Sequence, residues 1–176
     1  TAARLNSKYA FTYGKIEARA KLPEGVGTWP AIWMLGQNID ELGAYWQTQG
    51  YGSAPWPQCG EIDIMEHWGH DPTVIAGSLH TPMSHGDTWT NGHTIVSDYD
   101  EQFHIYSIDW NENRIQFFVD DVLYYTYNPS PKTDENWPFD QDAFFILNVA
   151  VGGSWFDIDP EFSESTMEVD YIRIYQ

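Results

Sequence analysis

The stretch E-I-D-I-M-E at residues 61–66 places three carboxylates among three large apolar side chains. A solvated acidic surface would carry lysine, glycine or serine between the acids, whereas isoleucine and methionine fill these gaps. The pattern therefore predicts a β-strand that packs one face in a core and carries the acids on the other. Like charges at this spacing repel, which costs stability unless function requires them.

The spacing of the three acids also predicts an irregularity in the strand. Side-chain alternation places Glu61 and Asp63 on one face, whereas Glu66, five residues after Glu61, would point to the other. A β-bulge at Ile64-Met65 would insert one residue and return Glu66 to the face of the first two acids. The sequence therefore predicts a bulged strand with all three carboxylates on one surface.

Two carboxylates on one side of a rigid strand are the groups that glycoside hydrolysis requires. A separation of roughly 5–5.5 Å suits the retaining double displacement, and one of roughly 6.5–9.5 Å suits inversion. The alternative interpretations of the acidic strand are a solvated edge strand and half of a calcium site.

Four other stretches accompany the acidic strand. They are Y-G-K-I-E-A-R-A-K-L-P at 13–23, G-T-W-P-A-I-W-M-L at 27–35, W-P-Q-C-G at 56–60 and V-D-Y-I-R-I-Y at 169–175. Together with the acidic strand, they resemble glycoside hydrolase family 16, and within it the laminarinases, which are endo-β-1,3-glucanases. The lichenase branch of that family is similar but lacks the inserted residue. The resemblance covers essentially the whole chain.

The resemblance implies an all-β fold, a β-jelly-roll sandwich of two antiparallel sheets with a sugar-binding cleft across the concave sheet. It implies a nucleophile at Glu61, an assisting acid at Asp63 and a general acid/base at Glu66. The implied function is retaining endo-hydrolysis of β-1,3-glucosidic bonds in laminarin-type polysaccharides. The alternatives are another activity of the family (mixed-linkage β-glucanase, agarase-like hydrolase or transglycosylase) and a non-catalytic glucan-binding module.

Tryptophans are the first candidates for sugar contacts. Trp29 and Trp33 lie at even spacing and can share one strand face, and Trp56 lies five residues before Glu61. The family resemblance places such tryptophans around the cleaved bond. Trp155, which follows Gly-Gly-Ser, is a candidate for the far wall of the cleft.

His80 is a further candidate because a hairpin of residues 61–66 and 73–80 would place it opposite residues 59–61. An imidazole there could hydrogen-bond the acids and hold their protonation pattern. Four other histidines lie in loop-like sequence without metal-ligand spacing and are interpreted as structural or surface residues; they are His67, His70, His85 and His93.

Composition restricts the partners. The chain carries 8 basic and 26 acidic residues, a formal net charge of −18. Such a charge opposes nucleic acids, anionic membrane surfaces and sulfated polysaccharides, but not a neutral glucan. The nine Trp, eleven Tyr and nine Phe suit a carbohydrate binder, although β-sandwich cores are aromatic too. Because such polymers cannot cross a membrane intact, the protein is expected to be secreted.

Neither a cofactor nor a reactive thiol is expected in catalysis. The counterpart of Asp170 in the family often ligates a structural calcium ion, so Asp170 is the one candidate metal ligand, and oxygen ligands suit calcium. Cys59 is the only cysteine, which excludes an internal disulfide, and it is expected to be a buried, inert thiol because no activating base accompanies it.

A length of 176 residues predicts a single catalytic domain at 1–176. The family normally carries some dozens more residues before the position of Thr1. The domain is therefore expected to lack N-terminal strands, which a second chain or segment would supply. Strand patterns occur at 11–20, 31–35, 73–80, 103–110, 114–119, 122–127, 144–151 and 167–175, and a loop at 36–58 is long enough to form a cleft rim.

Overall fold

The computed structural model describes residues 2–152 and 157–176. Eleven strands and a single helical turn, α1 (Tyr45–Thr48), are the regular elements there, and none of these residues forms a helix long and apolar enough to span a membrane. The strands are β1 (Arg4–Phe11), β2 (Gly14–Lys21), β3 (Thr28–Gly36), β4 (Glu61–His67), β5 (Val74–His80), β6 (Asn91–Ile95), β7 (His104–Trp110), β8 (Ile115–Val119), β9 (Val122–Tyr127), β10 (Ala143–Val151) and β11 (Glu168–Tyr175).

The strands form two antiparallel sheets. The first, here called the front sheet, has the order β1-β10-β3-β4-β5-β6, and the second, the back sheet, has the order β11-β2-β7-β8-β9. Neighbours in each sheet are often far apart in the chain, as when β10 inserts between β1 and β3. This two-sheet arrangement confirms the predicted jelly-roll sandwich.

The core lies between the two sheets because each sheet turns alternate apolar side chains inward. In β2, Ile16, Ala18 and Ala20 are fully buried, whereas the intervening Lys15, Glu17 and Arg19 are not. The front sheet contributes Ile32 and Met34 of β3 to the same cluster. The period of two in burial is what a sheet with one apolar face requires.

The predicted bulge in β4 is confirmed by the strand register. Asp63 pairs with Ser78 and Glu66 pairs with Ala76, so Ile64 and Met65 together face the single residue Gly77. Ile64 and Met65 are adjacent in the chain, yet both lie in the core between the sheets. The extra residue therefore shifts the alternation, and Glu66 returns to the face of Glu61 and Asp63.

Gly77 stands opposite the bulge at a point where the back sheet comes very close. A Cβ atom there would lie 2.5 Å from Cδ1 of Phe117 and 2.6 Å from Oη of Tyr124. Any larger residue would push these rings away, so the absence of a side chain lets the two sheets meet beneath the acids.

One predicted strand divides into two. Residues 11–20 are not a single strand, because Phe11 pairs with Ala143 in the front sheet and Gly14 pairs with Trp110 in the back sheet. Between them the chain crosses from one sheet to the other, and Tyr13 takes a positive φ of 63°. Residue alternation alone continues through this crossing, which is why the sequence pattern does not reveal it.

Two other differences concern the edges of the front sheet. Residues 4–10 and β6 form strands that the pattern did not predict. Both strands are largely or partly exposed and lack the regular large apolar residues of an inner strand. Their pairing with β10 and β5 determines their conformation.

The loop between β3 and β4 has a small core of its own. Trp46 of α1 and Ile39 pack with Leu35, Cys59 and Phe144 in a second apolar cluster. The loop is thereby held against the front sheet at the end where β4 begins. This position agrees with the expectation of a cleft rim.

A variant at Gly77 tests the close approach of the sheets. We expect Gly77→Ala to lower the free energy of unfolding by about 1–3 kcal/mol, because the added methyl group overpacks the space beside Phe117 and Tyr124. Denaturant unfolding followed by tryptophan fluorescence measures the change. Glu101→Ala is the control, because Glu101 is exposed and its replacement should change the free energy of unfolding by less than about 0.5 kcal/mol. Unchanged stability of Gly77→Ala would contradict this packing.

Candidate active site

A cavity of about 590 Å³ opens on the face of the front sheet that carries the acids of β4. It contains two of the three acids, several aromatic side chains and a polar wall. The lining residues are Trp29, Trp56, Glu61, Glu66, Trp68, His70, Ser78, His80, Gly86, Asp87, Thr88, Asn91 and His93.

Glu66 lies at one side of this cavity and is 8% exposed. The indole of Trp29 donates a hydrogen bond from Nε1 to Oε1 of Glu66 over 3.0 Å. Ser78, on the neighbouring strand β5, also hydrogen-bonds the carboxyl group. These contacts hold Glu66 in one orientation while leaving it at the cavity wall.

Glu61 has a corresponding arrangement at the other side. The indole of Trp56 donates from Nε1 to Oε2 of Glu61 over 2.8 Å, and Nε2 of His80 lies 3.5 Å from Oε1. Trp56 itself is 41% exposed, so part of its ring is available to a ligand. Each cavity glutamate is thus held by one tryptophan from outside β4: Glu66 by Trp29 of β3, and Glu61 by Trp56 of the loop that precedes β4.

Asp63 lies between the two glutamates and is 3% exposed. Its Oδ2 is 3.1 Å from Nε2 of His80, and its carboxyl group hydrogen-bonds that of Glu61. The register agrees with the sequence prediction for the histidine, because His80 pairs directly with Glu61 across β4 and β5.

Burial raises the pKa of all three carboxyl groups. For Glu61, desolvation and then the charge of Asp63 raise the pKa to about 9, against the opposing effects of His80 and the Trp56 indole. Desolvation, followed by repulsion from Glu66, raises the pKa of Asp63 well above its ordinary range. Desolvation also raises the pKa of Glu66. Because each negative charge adds to the cost of the others, the three groups cannot all be ionised together.

Such a cluster can carry out acid/base and nucleophilic chemistry on a neutral ligand. One carboxyl group can hold a proton for a leaving group while a second, ionised one approaches the reacting carbon from the same strand. The indole N–H groups of Trp29 and Trp56 supply hydrogen bonds, one to each glutamate, that keep these roles separate. Paired carboxyl groups on one strand are the groups that glycoside hydrolysis requires.

The other predicted contact residues have different positions. Trp33 shares the sheet face with Trp29 and pairs with Asp63, but it is not among the residues that line the cavity. Its Nε1 donates to Oδ1 of Asn148 over 2.7 Å, and the Arg4 guanidinium lies 5.3 Å from its ring centroid. Trp155 falls outside the described residues.

Several residues of the cavity were not predicted from the sequence. His70 and His93 line it, whereas the sequence pattern gave them no part in a site. Trp68 lies beside Trp29, with ring centroids 6.3 Å apart, and extends the aromatic wall. Asn91 and His93 belong to β6, whose pairing with β5 brings them there. Only the proximity of Trp68 to Glu66 in the chain could have indicated one of these residues.

Asp170 is ion-paired rather than grouped with other acids. Its Oδ2 accepts a hydrogen bond from Nη1 of Arg19 over 2.8 Å, and both side chains are partly exposed. Within residues 2–152 and 157–176, no set of three side chains with metal-ligand atoms includes Asp170. The structural calcium ion stays a prediction.

Cys59 has the predicted character of an inert thiol. It is 1% exposed and packs in the cluster under the loop that precedes β4. Burial, followed by the charge of Glu61, raises the pKa of the thiol to about 12. The thiol is therefore protonated and plays no part as a nucleophile at neutral pH.

The paired carboxyl groups of the site agree with the family to which the chain belongs. The profile of Glycosyl hydrolases family 16 matches residues 1–173, so the chain is a member of that family, and the predicted family is confirmed. Over 188 residues the chain is 44% identical to a β-glucanase of Rhodothermus marinus, in an alignment that covers 100% of this chain and 62% of that protein.

Solved structures show the same likeness. The laminarinase of Flavobacterium sp. UMI-01 superposes with a TM-score of 0.87 at 44% identity, covering 100% of this chain and 72% of that one. A glutamate-to-serine variant of LamA from Z. galactanivorans, in complex with laminaritriose and laminaritetraose, superposes with a TM-score of 0.86 at 44% identity. That match covers 98% of this chain and 69% of LamA. The chain thus spans between about three fifths and three quarters of the length of these proteins.

The burial of Glu61 predicts a dependence of stability on pH. Because the folded-state pKa is raised from 4.5 to about 9, the folded protein binds a proton there more tightly than the unfolded chain. This contribution to stability is complete below about pH 4.5 and is lost as the pH rises towards 9. We expect Glu61→Gln to remove the loss and to melt higher than the parent at pH 8, by about 2–4 °C per kcal/mol, with little difference at pH 4.5.

Thermal unfolding at both pH values measures this effect. Glu101→Gln is the matched control, because Glu101 is exposed and its replacement should change the melting temperature equally little at either pH. An equal gain for Glu61→Gln at pH 4.5 and pH 8 would show that packing, rather than the buried charge, causes the difference.

Proposed function

We propose that the protein is a retaining endo-hydrolase of β-1,3-glucosidic bonds in laminarin-type polysaccharides. The observation that carries the proposal is the pair of glutamates that one bulged strand directs into the same cavity, with Asp63 between them. The similarity to laminarinases and to a β-glucanase supports the linkage, and the laminari-oligosaccharides in the LamA complex support the type of ligand.

In the first step, Glu66 gives its proton to the glycosidic oxygen as the bond from that oxygen to the anomeric carbon breaks. Ionised Glu61 forms a bond to the same carbon, which produces a covalent glycosyl-enzyme. The aglycone leaves with the proton. The raised pKa of Glu66 supports its role as the acid, because the group must be protonated before the bond breaks.

In the second step, Glu66 accepts a proton from a water molecule whose oxygen bonds to the anomeric carbon. The ester bond to Glu61 breaks, and the released sugar has the same anomeric configuration as the substrate. Two inversions thus give net retention. At the end of the cycle Glu66 is protonated and Glu61 is ionised, which is the starting state.

In this proposal Asp63 influences which of the two glutamates carries a proton. Glu61 has to be ionised to attack, although burial favours its protonated form. A proton shared with Asp63, together with the hydrogen bond from Trp56, lowers the cost of the negative charge on Glu61. Repulsion from Asp63 in turn helps Glu66 to remain protonated between turnovers.

The charge of the cavity supports a neutral substrate. Three acids, Glu61, Glu66 and Asp87, belong to its lining, and no lysine or arginine is among the described lining residues. A sulfated polysaccharide would find no lysine or arginine among these lining residues and would be repelled by the net charge of −18. The indole faces of Trp29, Trp56 and Trp68 suit the apolar faces of glucose rings.

The second candidate function is a glucan-binding module without turnover. The presence of Glu61, Asp63 and Glu66 together disfavours it, because binding alone does not require three buried acids that destabilise the fold. Polymeric glucan cannot enter a cell intact, so the proposal also implies that the protein acts outside the cytoplasm, with no cofactor needed for catalysis.

Replacement of the nucleophile tests the mechanism. We expect Glu61→Ser to lower the hydrolysis of laminarin by a factor of about 10⁴ or more, while oligosaccharide binding persists because the aromatic wall remains. Reducing-end assays measure hydrolysis, and calorimetry with laminaritetraose measures binding. NMR of the parent reaction should show the β anomer as the first product, whereas an initial α anomer would contradict retention.

A panel of polysaccharides tests the substrate. The parent protein should release oligosaccharides from laminarin faster than from mixed-linkage glucan, agarose or carrageenan. Mixed oligosaccharide sizes at early times would indicate internal cleavage. Cleavage of agarose without cleavage of laminarin would overturn the substrate assignment, and binding of laminarin without any cleavage would favour the binding module.

The role of Asp63 predicts a graded effect. Asp63→Asn removes the group that shares a proton with Glu61, and we expect activity on laminarin to fall by about ten- to a hundredfold, less than in Glu61→Ser. Circular dichroism checks that the sheets are intact. A folded Asp63→Asn variant as inactive as Glu61→Ser would assign Asp63 a direct part in bond cleavage.

A further inference from the structure

The cavity extends from the acids of β4 across β5 to β6, the edge strand of the front sheet. Ser78 of β5 and Asn91 and His93 of β6 line this part of it. Ser78 hydrogen-bonds the carboxyl group of Glu66, but neither Asn91 nor His93 has a task in the proposed bond cleavage. Two polar side chains of an edge strand thus face the reacting groups without an assigned function.

The strand register places His93 level with Glu66. Glu66 pairs with Ala76 of β5, and Ala76 pairs with His93. Paired residues share one face of an antiparallel sheet, so the two longer side chains stand on the cavity face with only a methyl group between them. Two strand spacings, roughly 9.4–9.8 Å, separate their backbones. Desolvation raises the pKa of Glu66, and the charge of His93 is one of several smaller effects that lower it, which agrees with side chains that face each other.

A second row of paired residues places Asn91 level with Asp63. Asp63 pairs with Ser78, and Ser78 pairs with Asn91. The side-chain amide of Asn91 donates from Nδ2 to the carbonyl of Thr88, in the loop between β5 and β6. This bond uses one of the two N–H hydrogens of the amide, so Asn91 is held in place and still has a donor and an acceptor for a ligand.

Two glycines bring the back sheet directly beneath this part of the cavity. Gly77 of β5 pairs with Gly92 of β6. A Cβ atom at Gly92 would collide with the side chain of Tyr125 in β9, and Gly77 has the same close contact with the back sheet. Because neither position carries a side chain, β9 supports β6 from below. The residues on either side of Gly92 are therefore held on a strand that packs firmly, although it lies at an edge.

Loops close this part of the cavity at both ends of the strands. Trp68 and His70 follow β4 and line one end, and Asp87 and Thr88 follow β5 and line the other. The whole cavity of about 590 Å³ lies within the roughly 300–1,000 Å³ of sites that bury small ligands. An aromatic wall with a few fixed neutral donors and acceptors suits a sugar unit, which has apolar CH faces and a rim of hydroxyl groups.

We propose that Asn91 and His93 are specificity-determining residues that hydrogen-bond hydroxyl groups of the sugar unit lying between β6 and the acids. This inference rests on the proposed function, because it assigns the two residues to recognition of the same neutral glucan. The amide of Asn91 donates and accepts, and the imidazole of His93 has at least one N–H donor in either protonation state. Hydroxyl groups do both and are therefore suitable partners for each.

Other kinds of ligand suit these side chains less well. Within residues 2–152 and 157–176, no group of three side chains with metal-ligand atoms includes His93. An anionic ligand would lie close to the carboxyl groups of Glu61, Glu66 and Asp87, which line the same cavity. A neutral ligand with hydroxyl groups meets neither difficulty.

Truncation of the two side chains tests the assignment in the active protein. We expect His93→Ala and Asn91→Ala each to raise KM for laminarihexaose by about three- to tenfold, the cost of one hydrogen bond. The change in kcat should be smaller, because contacts with the hydroxyl groups persist from the bound substrate to the transition state. Hexaose is used because it is long enough to lie on both sides of the acids.

Ile95→Ala is the matched control. Ile95 lies two residues after His93, so it shares the strand and the face, but it is 67% exposed and is not among the lining residues of the cavity. Its truncation should leave KM unchanged. Values of KM for His93→Ala and Asn91→Ala equal to that of Ile95→Ala would overturn the proposal.

Binding without turnover gives an independent measurement. In the Glu61→Ser background, calorimetry should show that His93→Ala and Asn91→Ala each weaken the binding of laminarihexaose by about three- to tenfold. Circular dichroism and thermal melting check that the fold is retained. Unchanged affinity in both folded variants would contradict a contact with the sugar.

Conservative variants of His93 separate a hydrogen bond from a contact made by the ring alone. His93→Gln keeps an N–H donor on the same strand position and should recover most of the affinity that His93→Ala loses. His93→Phe keeps the area of an aromatic ring without a donor and should not recover it. Recovery by phenylalanine but not by glutamine would overturn the hydrogen-bonding role.

These measurements distinguish failure of this inference from failure of the proposed function. If laminarihexaose binds more weakly to the His93 and Asn91 variants but the parent protein cleaves no glucan, the proposed function fails and the binding role stands. If laminarin is cleaved but the variants bind the hexaose as the parent does, the inference fails and the proposed function stands.

Discussion

The β-bulge at Ile64-Met65 opposite Gly77 is the constraint on which the rest of the site depends. Without the extra residue, Glu66 would point into the core, where an ionised carboxyl group would find no partner. With it, both apolar residues remain in the core and all three acids reach one face. Gly77 allows the bulge to lie directly over Phe117 and Tyr124 of the back sheet.

The same arrangement lowers the stability of the folded protein, because it buries acidic groups at the functional site. Three carboxyl groups share a site with little access to water, and burial raises the pKa of each of them. Hydrogen bonds from Trp29 to Glu66 and from Trp56 to Glu61 reduce this cost without removing it. A site that destabilises the protein but is held by several donors from different elements is typical of selection for chemistry rather than for stability.

The side chains that surround the acids come from parts of the chain that have little in common in sequence. Trp29 belongs to β3 and His80 to β5. Trp56 belongs to the loop between β3 and β4, which a small apolar cluster holds against the front sheet. The loop that follows β5 then fixes His80 from behind through Gly86. Rigid strands thus place the acids, and anchored loops complete the hydrogen bonds around them, which is the division that preorganised sites require.

The sequence by itself determined the acids, the bulge and the partner of Glu61. Local alternation indicates which side chains share a face, and an odd spacing within one strand reveals an extra residue; His80 could be placed because a hairpin has a short and regular register. The family and the sandwich fold were likewise evident from motifs that lie in order along the chain.

Only the tertiary structure decided what surrounds these residues. It divided residues 11–20 between the two sheets, added the edge strand β6 with His93, and left Trp33 with Asn148 and Arg4 outside the cavity. It also revealed the Gly86 amide at Nδ1 of His80. Such contacts join residues whose proximity depends on strand pairing and loop packing across the whole domain, and alternation within a short segment carries no information about them.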